Sequence, residues 1–297
     1  MFLRSLLALC LLFASVLAVA QPNASTYNFS APELVAQLDS ELAEISGLSL
    51  TTDQPNELLA VEDENGKVYR LNASSGIVLW AVDFWKDGDY EGVEMVGDEV
   101  WVVKNTGTLY RITNIGKPDQ HTEKYNGDLN GDNDVEGLAY DRAGNRLLLA
   151  CKRDADDDGN SKDGRYIFTF DLSSKTFSKD PVYAIKQADI VDYLGTHPTT
   201  ANYERLNRFF ATDKKFDLSP SSLAIHPTTG NLYLTSSVGE LLMVVSPAGQ
   251  ILELHYLGKK ALPQPEGLAF GADGTLYICT EAQGKAPARL YRFTPEK

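Results

Sequence analysis

One short phrase recurs through this chain at a fixed spacing and constrains its fold more than any other feature. Glu91-Gly92-Val93, Glu136-Gly137-Leu138 and Glu266-Gly267-Leu268 each open an apolar run. Ser46-Gly47-Leu48 and Ser221-Ser222-Leu223 carry serine in the same slot. The slots fall at 46, 91, 136, 221 and 266, spaced by 45 residues except for one interval of 85. A period of this size marks repeat architectures, propeller blades in particular.

Each repeat has the same internal order. An apolar strand follows the slot, then a turn such as "ADG", "DRAG" or "PTTG", then a second strand such as "VWVVK" or "LYICT". A third strand ("TLYRIT", "RLYRFTP") and a more variable fourth ("IVLWAVDF", "ILELHYL") follow. Alternating apolar and aromatic residues between turn signals predict antiparallel sheets. Four-stranded units around an axis are propeller blades. The expected fold is therefore all-β, a single β-propeller of five blades of four strands, with six blades as the alternative. The last copy stops at Lys297 after three strands. Its fourth is expected from "STYNFS" or "ELVAQL" at the other end of the chain, which closes the ring and removes an open edge. The double interval holds a segment without strand alternation, about 187–218. "QADIVDYL" and "TANYERLNRFF" read there as short helices, the second with a Thr200 cap.

Residues 1–20 read as an export leader: Arg4, the apolar "SLLALCLLFASVL", and "AVA" before Gln21. Residues 21–297 form the propeller domain, and the expected location is periplasmic or secreted, with an uncleaved anchor at the inner membrane as the alternative. The chain carries a net charge of −14, and losing Arg4 makes it −15. Such a surface repels nucleic acid and anionic membranes, and a monomer is expected. Cys10 leaves with the leader, while Cys151 and Cys279 end second strands in non-adjacent blades and read as small buried hydrophobes.

Antiparallel order places every slot, and every loop after a second strand, on one face of the ring. Ser46, Glu91, Glu136, Ser221 and Glu266 are expected around the axial opening. Glu62, Lys104, Lys152 and Glu281 belong to the loops beside them. Converging carboxylates need protons, cationic partners or a metal ion. Lys104 and Lys152 are candidates to neutralise two of the three glutamates. The competing reading has each glutamate accept hydrogen bonds from the next blade's backbone and staple the ring.

"RDADDDGNSKDGR" contains Asp154, Asp156, Asp158 and Asn160 at calcium-loop spacing, with Asp163 near the closing position, where Arg165 stands twelfth. "DLNGDNDVE" offers Asp128, Asn130, Asp132 and Asp134 leading into Glu136. Calcium, which prefers six to eight oxygens in flexible arrangements, is the expected cofactor. The four histidines are scattered and give no zinc spacing. There is no nucleophile elbow and no phosphate loop.

The phrases "AEISGLS", "YEGVEMVGDEVWVVK", "DVEGLAYD", "SPSSLAIHPTTGNLYLTSS" and "PEGLAFGADGTLYICTE" recur in order at blade spacing. In them the chain resembles the SdiA-regulated family of YjiK-like exported propellers, which includes a calcium-regulated periplasmic member. The resemblance implies a propeller at the bacterial envelope, a physiology linked to calcium, and kinship with propeller phytases. Lys104, Lys152 and Arg153 are the cations expected at the mouth, a thin supply for a polyphosphorylated substrate. The leading expectation is a non-catalytic calcium-binding propeller that senses, buffers or scaffolds, with an envelope protein or small ligand as partner. The alternative is a calcium-dependent hydrolase, phytase-like or a lactonase, using Glu136, Glu91 or Glu266 as base.

Overall fold

Alternating apolar positions in every repeat place one side-chain row on each face of a strand, so each blade must be covered on both sides by its neighbours. The structure is a computed structural model that describes residues 27–153 and 164–296. The leader and the acidic stretch from Asp154 to Asp163 lie outside the described residues.

Strand β1 (Glu33–Gln37) precedes the first blade, which comprises β2 (Ile45–Leu50), β3 (Glu57–Glu62), β4 (Lys67–Asn72) and β5 (Val78–Asp83). Blade 2 holds β6 (Tyr90–Val96), β7 (Glu99–Lys104), β8 (Leu109–Thr113) and β9 (His121–Tyr125). Blade 3 holds β10 (Val135–Asp141), β11 (Arg146–Cys151) and β12 (Gly164–Asp171), with its outer edge divided between β13 (Thr176–Phe177) and β14 (Tyr183–Lys186). Helices α1 (Gln187–Thr196) and α2 (Tyr203–Phe209) follow. Blade 4 is β15 (Pro220–Ile225), β16 (Leu232–Ser236), β17 (Leu241–Val245) and β18 (Ile251–Tyr256). Blade 5 is β19 (Pro265–Phe270), β20 (Leu276–Thr280) and β21 (Arg289–Phe293). Its fourth strand is β1, paired antiparallel to β21 through Glu33↔Arg292 and Leu34↔Tyr291. The ring thus has five blades, closed by the segment "ELVAQ".

The recurring glycine has a steric cause. The inner strands β2, β6, β10, β15 and β19 pack side by side around the axis. A Cβ at Gly47 would lie 2.8 Å from Gly92 Cα, one at Gly92 2.7 Å from Leu138 Cβ, and one at Gly267 2.7 Å from the Leu48 nitrogen. In blade 4, where Ser222 replaces the glycine, its Oγ accepts a hydrogen bond from the Leu268 N–H at 3.0 Å.

Five apolar clusters fill the ring, one between each pair of neighbouring blades. The cluster between blades 4 and 5 also takes in Tyr27 and Phe29 from the chain before β1. Tyr27 stands edge-on to Tyr233, centroids 6.0 Å apart, and donates its hydroxyl proton to Gly274 O. From "STYNFS", Tyr27 and Phe29 therefore pack as a plug on the face opposite the slots, while "ELVAQ" supplies the closing strand.

The insertion forms both expected helices. They pack beside blades 3 and 4 through Ile190, Leu194 and Leu206. The Gln187 side chain donates to Phe210 O and Ala211 O, at 3.2 and 3.0 Å, and ties the end of α2 to the start of α1. The expected Thr200 cap is not formed: Asn202 is the N-cap, and Thr200 donates to His197 O at 2.8 Å instead. Cys151 and Cys279 are buried and unbonded to each other, as expected.

Candidate functional site: an acidic axial mouth

Every slot residue is a bulge. The register between first and second strands shifts between Ile45 and Gly47, Tyr90 and Gly92, Val135 and Gly137, Pro220 and Ser222, and Pro265 and Leu268. A bulge inserts one residue opposite none and re-aims its side chain. Five repetitions bring Ser46, Glu91, Glu136, Ser221 and Glu266 to one opening. The three glutamates sense one another's charge: Glu136 acts on Glu91, and both act on Glu266.

Two further rings surround the slots. Two residues before each slot stand Glu44, Asp89, Asp134, Ser219 and Gln264. One residue past each second strand stand Asp63, Asn105, Lys152, Ser237 and Glu281. Blade 4 contributes serine to all three rings, so the acids form an arc over blades 5, 1, 2 and 3. The same repeat period that revealed the slots marks these positions, but their residue types vary from copy to copy. Glu44 and Asp89 were therefore missed as site residues in the sequence.

The arc is unevenly compensated. Lys152 Nζ donates to Glu136 Oε1 at 2.5 Å, and Arg153 pairs with Asp134 at 3.1 Å. Lys104 forms no ion pair with a described residue, and its Nζ lies 3.2 Å from the site a Cβ would take on Gly88. Among the described residues, the mouth acids of blades 5, 1 and 2 form no ion pair. There burial, followed by the charges of Glu136 and Asp89, pushes Glu91 up to about 10. Burial and Glu44 push Glu281 up to about 7 and Asp63 up to about 6. Glu136 rises only to about 7, because Lys152 offsets its burial. Glu266, 6 % exposed, is held well above the ordinary range by burial and by Glu281.

Among the described residues, three oxygens at this mouth are buried with no hydrogen-bond partner: Asp63 Oδ1, Asn105 Oδ1 and Thr280 Oγ1. Orphaned buried polar atoms cost about 1–3 kcal/mol each unless a water or ion satisfies them. The Asn105 amide group is turned by its own donation to Asp89, which leaves Oδ1 bare.

The slot glutamates do not staple the ring. None of the three accepts a backbone hydrogen bond from a neighbouring blade among the described residues. That work falls to Glu94, three residues past the blade 2 slot, which accepts from Ser49 Oγ at 2.7 Å and from the Tyr140 N–H at 3.1 Å. Glu94 thus links blades 1, 2 and 3, and nothing in the repeat pattern singled it out. Ser221 acts likewise, donating to Pro265 O of blade 5 at 2.6 Å, whereas Ser46 donates locally to Glu44 O at 3.2 Å. The Glu62 carboxylate accepts from the Glu64 and Asn65 N–H groups and shapes its own loop.

The run from Asp128 to Asp134 does not converge on a single centre. Asn130 Oδ1 accepts from the Asp132 N–H at 2.7 Å, Asp134 turns to Arg153, and Asp128 and Asp132 are exposed.

The profile of the SdiA-regulated family matches residues 25–156 and 178–294, most of the chain. The chain belongs to the SdiA-regulated family. The resemblance seen in the repeated phrases thus extends over all five blades of this family member. Solved structures share the fold at low identity. A Myxococcus xanthus glutaminyl cyclase matches with a TM-score of 0.52 and 13 % identity, over 88 % of this chain and 98 % of its own. A Xanthomonas campestris gluconolactonase matches with a TM-score of 0.51 and 14 % identity, over 86 % and 73 %. A PQQ-bound aldose sugar dehydrogenase from Streptomyces coelicolor matches with a TM-score of 0.50 and 11 % identity, over 89 % and 97 %. At these identities the likeness extends to the fold and no further.

The mouth of this family member has the donor chemistry of a hard cation site: carboxylates, an amide oxygen and a hydroxyl. Among the described residues no three His, Cys, Asp or Glu side chains are already drawn to ligating distance of one point.

Proposed function

We propose that this member of the SdiA-regulated family is an exported propeller that binds calcium at its axial mouth and acts by binding, not by chemistry of its own. The observation that carries the reading is the uncompensated part of the mouth. Among the described residues, Asp63, Asp89, Glu91 and Glu281 meet there without an ammonium or guanidinium ion-pair partner, beside the unpartnered oxygens of Asp63 and Asn105. Calcium suits such a set, because it accepts mixed oxygen ligands at about 2.3–2.6 Å without strict geometry. Asp63, Asp89, Glu91 and Asn105 would hold it, with Glu281 across the opening. Bound there, the ion would supply the positive charge that the buried acids lack.

The hydrolase reading is favoured by one observation. Glu91, pushed up to about 10, keeps its proton beside acids that ionise lower, the division of labour of an acid–base pair. Against it, Lys152 and Arg153 are already committed to Glu136 and Asp134, which leaves little for an anionic substrate.

Thermal denaturation with calcium, magnesium or chelator tests the proposal, since an ion bound only by the folded chain raises Tm by mass action. A calcium-specific rise, reduced in Asp63→Asn and Glu91→Gln, is expected. A parent without any calcium response would end the proposal. Phytate, simple phosphoesters and lactones, screened with calcium, test the hydrolase reading, which requires turnover lost in Glu91→Gln.

A further inference from the structure

Blade 3 departs from its neighbours along its outer edge. The other blades end on one outer strand each, whereas here β13 pairs with Phe170 and Asp171 and β14 with Gly164–Ile167. Between them the chain leaves the sheet, and both ends of the excursion are pinned. The Ser178 N–H donates to Thr169 O at 2.8 Å, and the Val182 N–H donates to Ile167 O at 2.8 Å. The Thr169 N–H donates to Ser178 Oγ at 3.0 Å. Pro181 has no N–H with which to rejoin the ladder.

This excursion opens a cleft of about 440 Å³ against the connection from blade 2 to blade 3. Tyr166, Phe168 and Phe177 line it with aromatic surface, while Asp128, Asn130, Lys179 and Asp180 supply polar groups. The opposing wall is built, not loose. Gly127 lets it approach Phe177, since a Cβ at that glycine would lie 2.7 Å from the ring. Asn130 is held by its N–H donating to Asn133 Oδ1 at 2.9 Å and by its Oδ1 accepting from the Asp132 N–H at 2.7 Å. Clefts of a few hundred Å³ that combine aromatic surface with placed polar groups can hold small ligands.

We propose that this cleft binds a neutral saccharide of one or two rings. One face of a pyranose is a patch of C–H groups, which packs on aromatic rings, whose faces carry negative charge. The hydroxyls around it can donate to the carboxylates of Asp128 and Asp180 and accept from the Asn130 amide and the Lys179 ammonium. An anionic ligand would meet two carboxylates against one ammonium, and a wholly apolar one would strand the polar groups. The cleft shares no residue with the three rings of the mouth, so it stands independently of the ion site proposed there.

Saturation-transfer NMR on the full protein with glucose, galactose, N-acetylglucosamine and maltose tests the assignment, with choline as a cationic control. Transfer to the ring protons of at least one sugar is expected. Its dissociation constant should rise at least tenfold in Tyr166→Ala and in the double variant Asp128→Ala/Asp180→Ala. Asp128 and Asp180 are exposed, so that double variant should fold, as circular dichroism will verify. Glu91→Gln, in the mouth, should leave the sugar signal unchanged. The proposal is overturned by transfer to none of the four sugars, by transfer to choline alone, or by sugar binding indifferent to both cleft variants.

Discussion

Lys152 and Glu136 form an ion pair within blade 3, Nζ to Oε1 at 2.5 Å, beside two glutamates of the same ring that have no ion pair among the described residues. Glu136 is 8 % exposed, so its charge depends on this partner. Lys152→Met leaves that carboxylate buried and alone, which costs about 2 kcal/mol. Urea denaturation at pH 8 should show the loss. The double variant Lys152→Met/Glu136→Gln should recover part of it, because the stranded charge is gone.

The glycines after the slots admit no side chain. Gly47→Ala and Gly267→Ala each push a Cβ against the backbone of the adjoining blade, at 2.8 and 2.7 Å. Overpacking of this kind costs about 1–3 kcal/mol. Gly97→Ala tests the other glycine role: nothing lies within 4 Å of its Cβ, but its φ is +66°, so only backbone strain opposes the change. Its cost, read from the same denaturation curves, should be near 1 kcal/mol.

Acids whose folded pKa is raised favour the protonated state, so the folded chain binds more protons than the unfolded one above about pH 4. Asp63, raised to about 6, and Glu136, Glu281 and Glu94, raised to about 7, all act in this sense. Stability in chelator should therefore fall as pH rises from 5 to 8. His226, pushed down by burial, opposes this as a single group. Melting temperatures at pH 5.5 and 8 check the sign, and calcium should give the larger rise at pH 8.

Glu94 joins three blades, so its removal should cost stability without touching calcium. Glu94→Ala leaves the Tyr140 N–H and the Ser49 hydroxyl without their acceptor, about 1–3 kcal/mol. A calcium-induced shift of unchanged size, on a lower baseline, is the expected outcome.

How much of this was legible in the sequence differs by feature. The blade count, the closing strand and the convergence of Glu91, Glu136 and Glu266 followed from a residue pair repeated in one slot, because bulge and close approach demand the same chemistry in nearly every copy. Glu44 and Asp89 were not legible. Their positions repeat, but the mouth is asymmetric, and a different residue type in each blade hides the period. Tyr27 and Phe29 were read as a strand option because alternation alone does not distinguish an edge strand from an apolar plug. The divided outer edge of blade 3 was not legible, because the repeat pattern assigns each blade a single fourth strand and that strand is the most variable of the four.

Isothermal titration of calcium into the protein and two variants bears most directly on the mouth as the ion's site. One variant is Asp63→Asn/Glu91→Gln, and the other is Asp156→Ala/Asp158→Ala in the acidic stretch outside the described residues. The expected result is saturable calcium binding in the parent, weakened at least tenfold by the mouth variant and persisting in the other. Absence of binding in the parent, or binding lost with Asp156 and Asp158 but indifferent to Asp63 and Glu91, would contradict it.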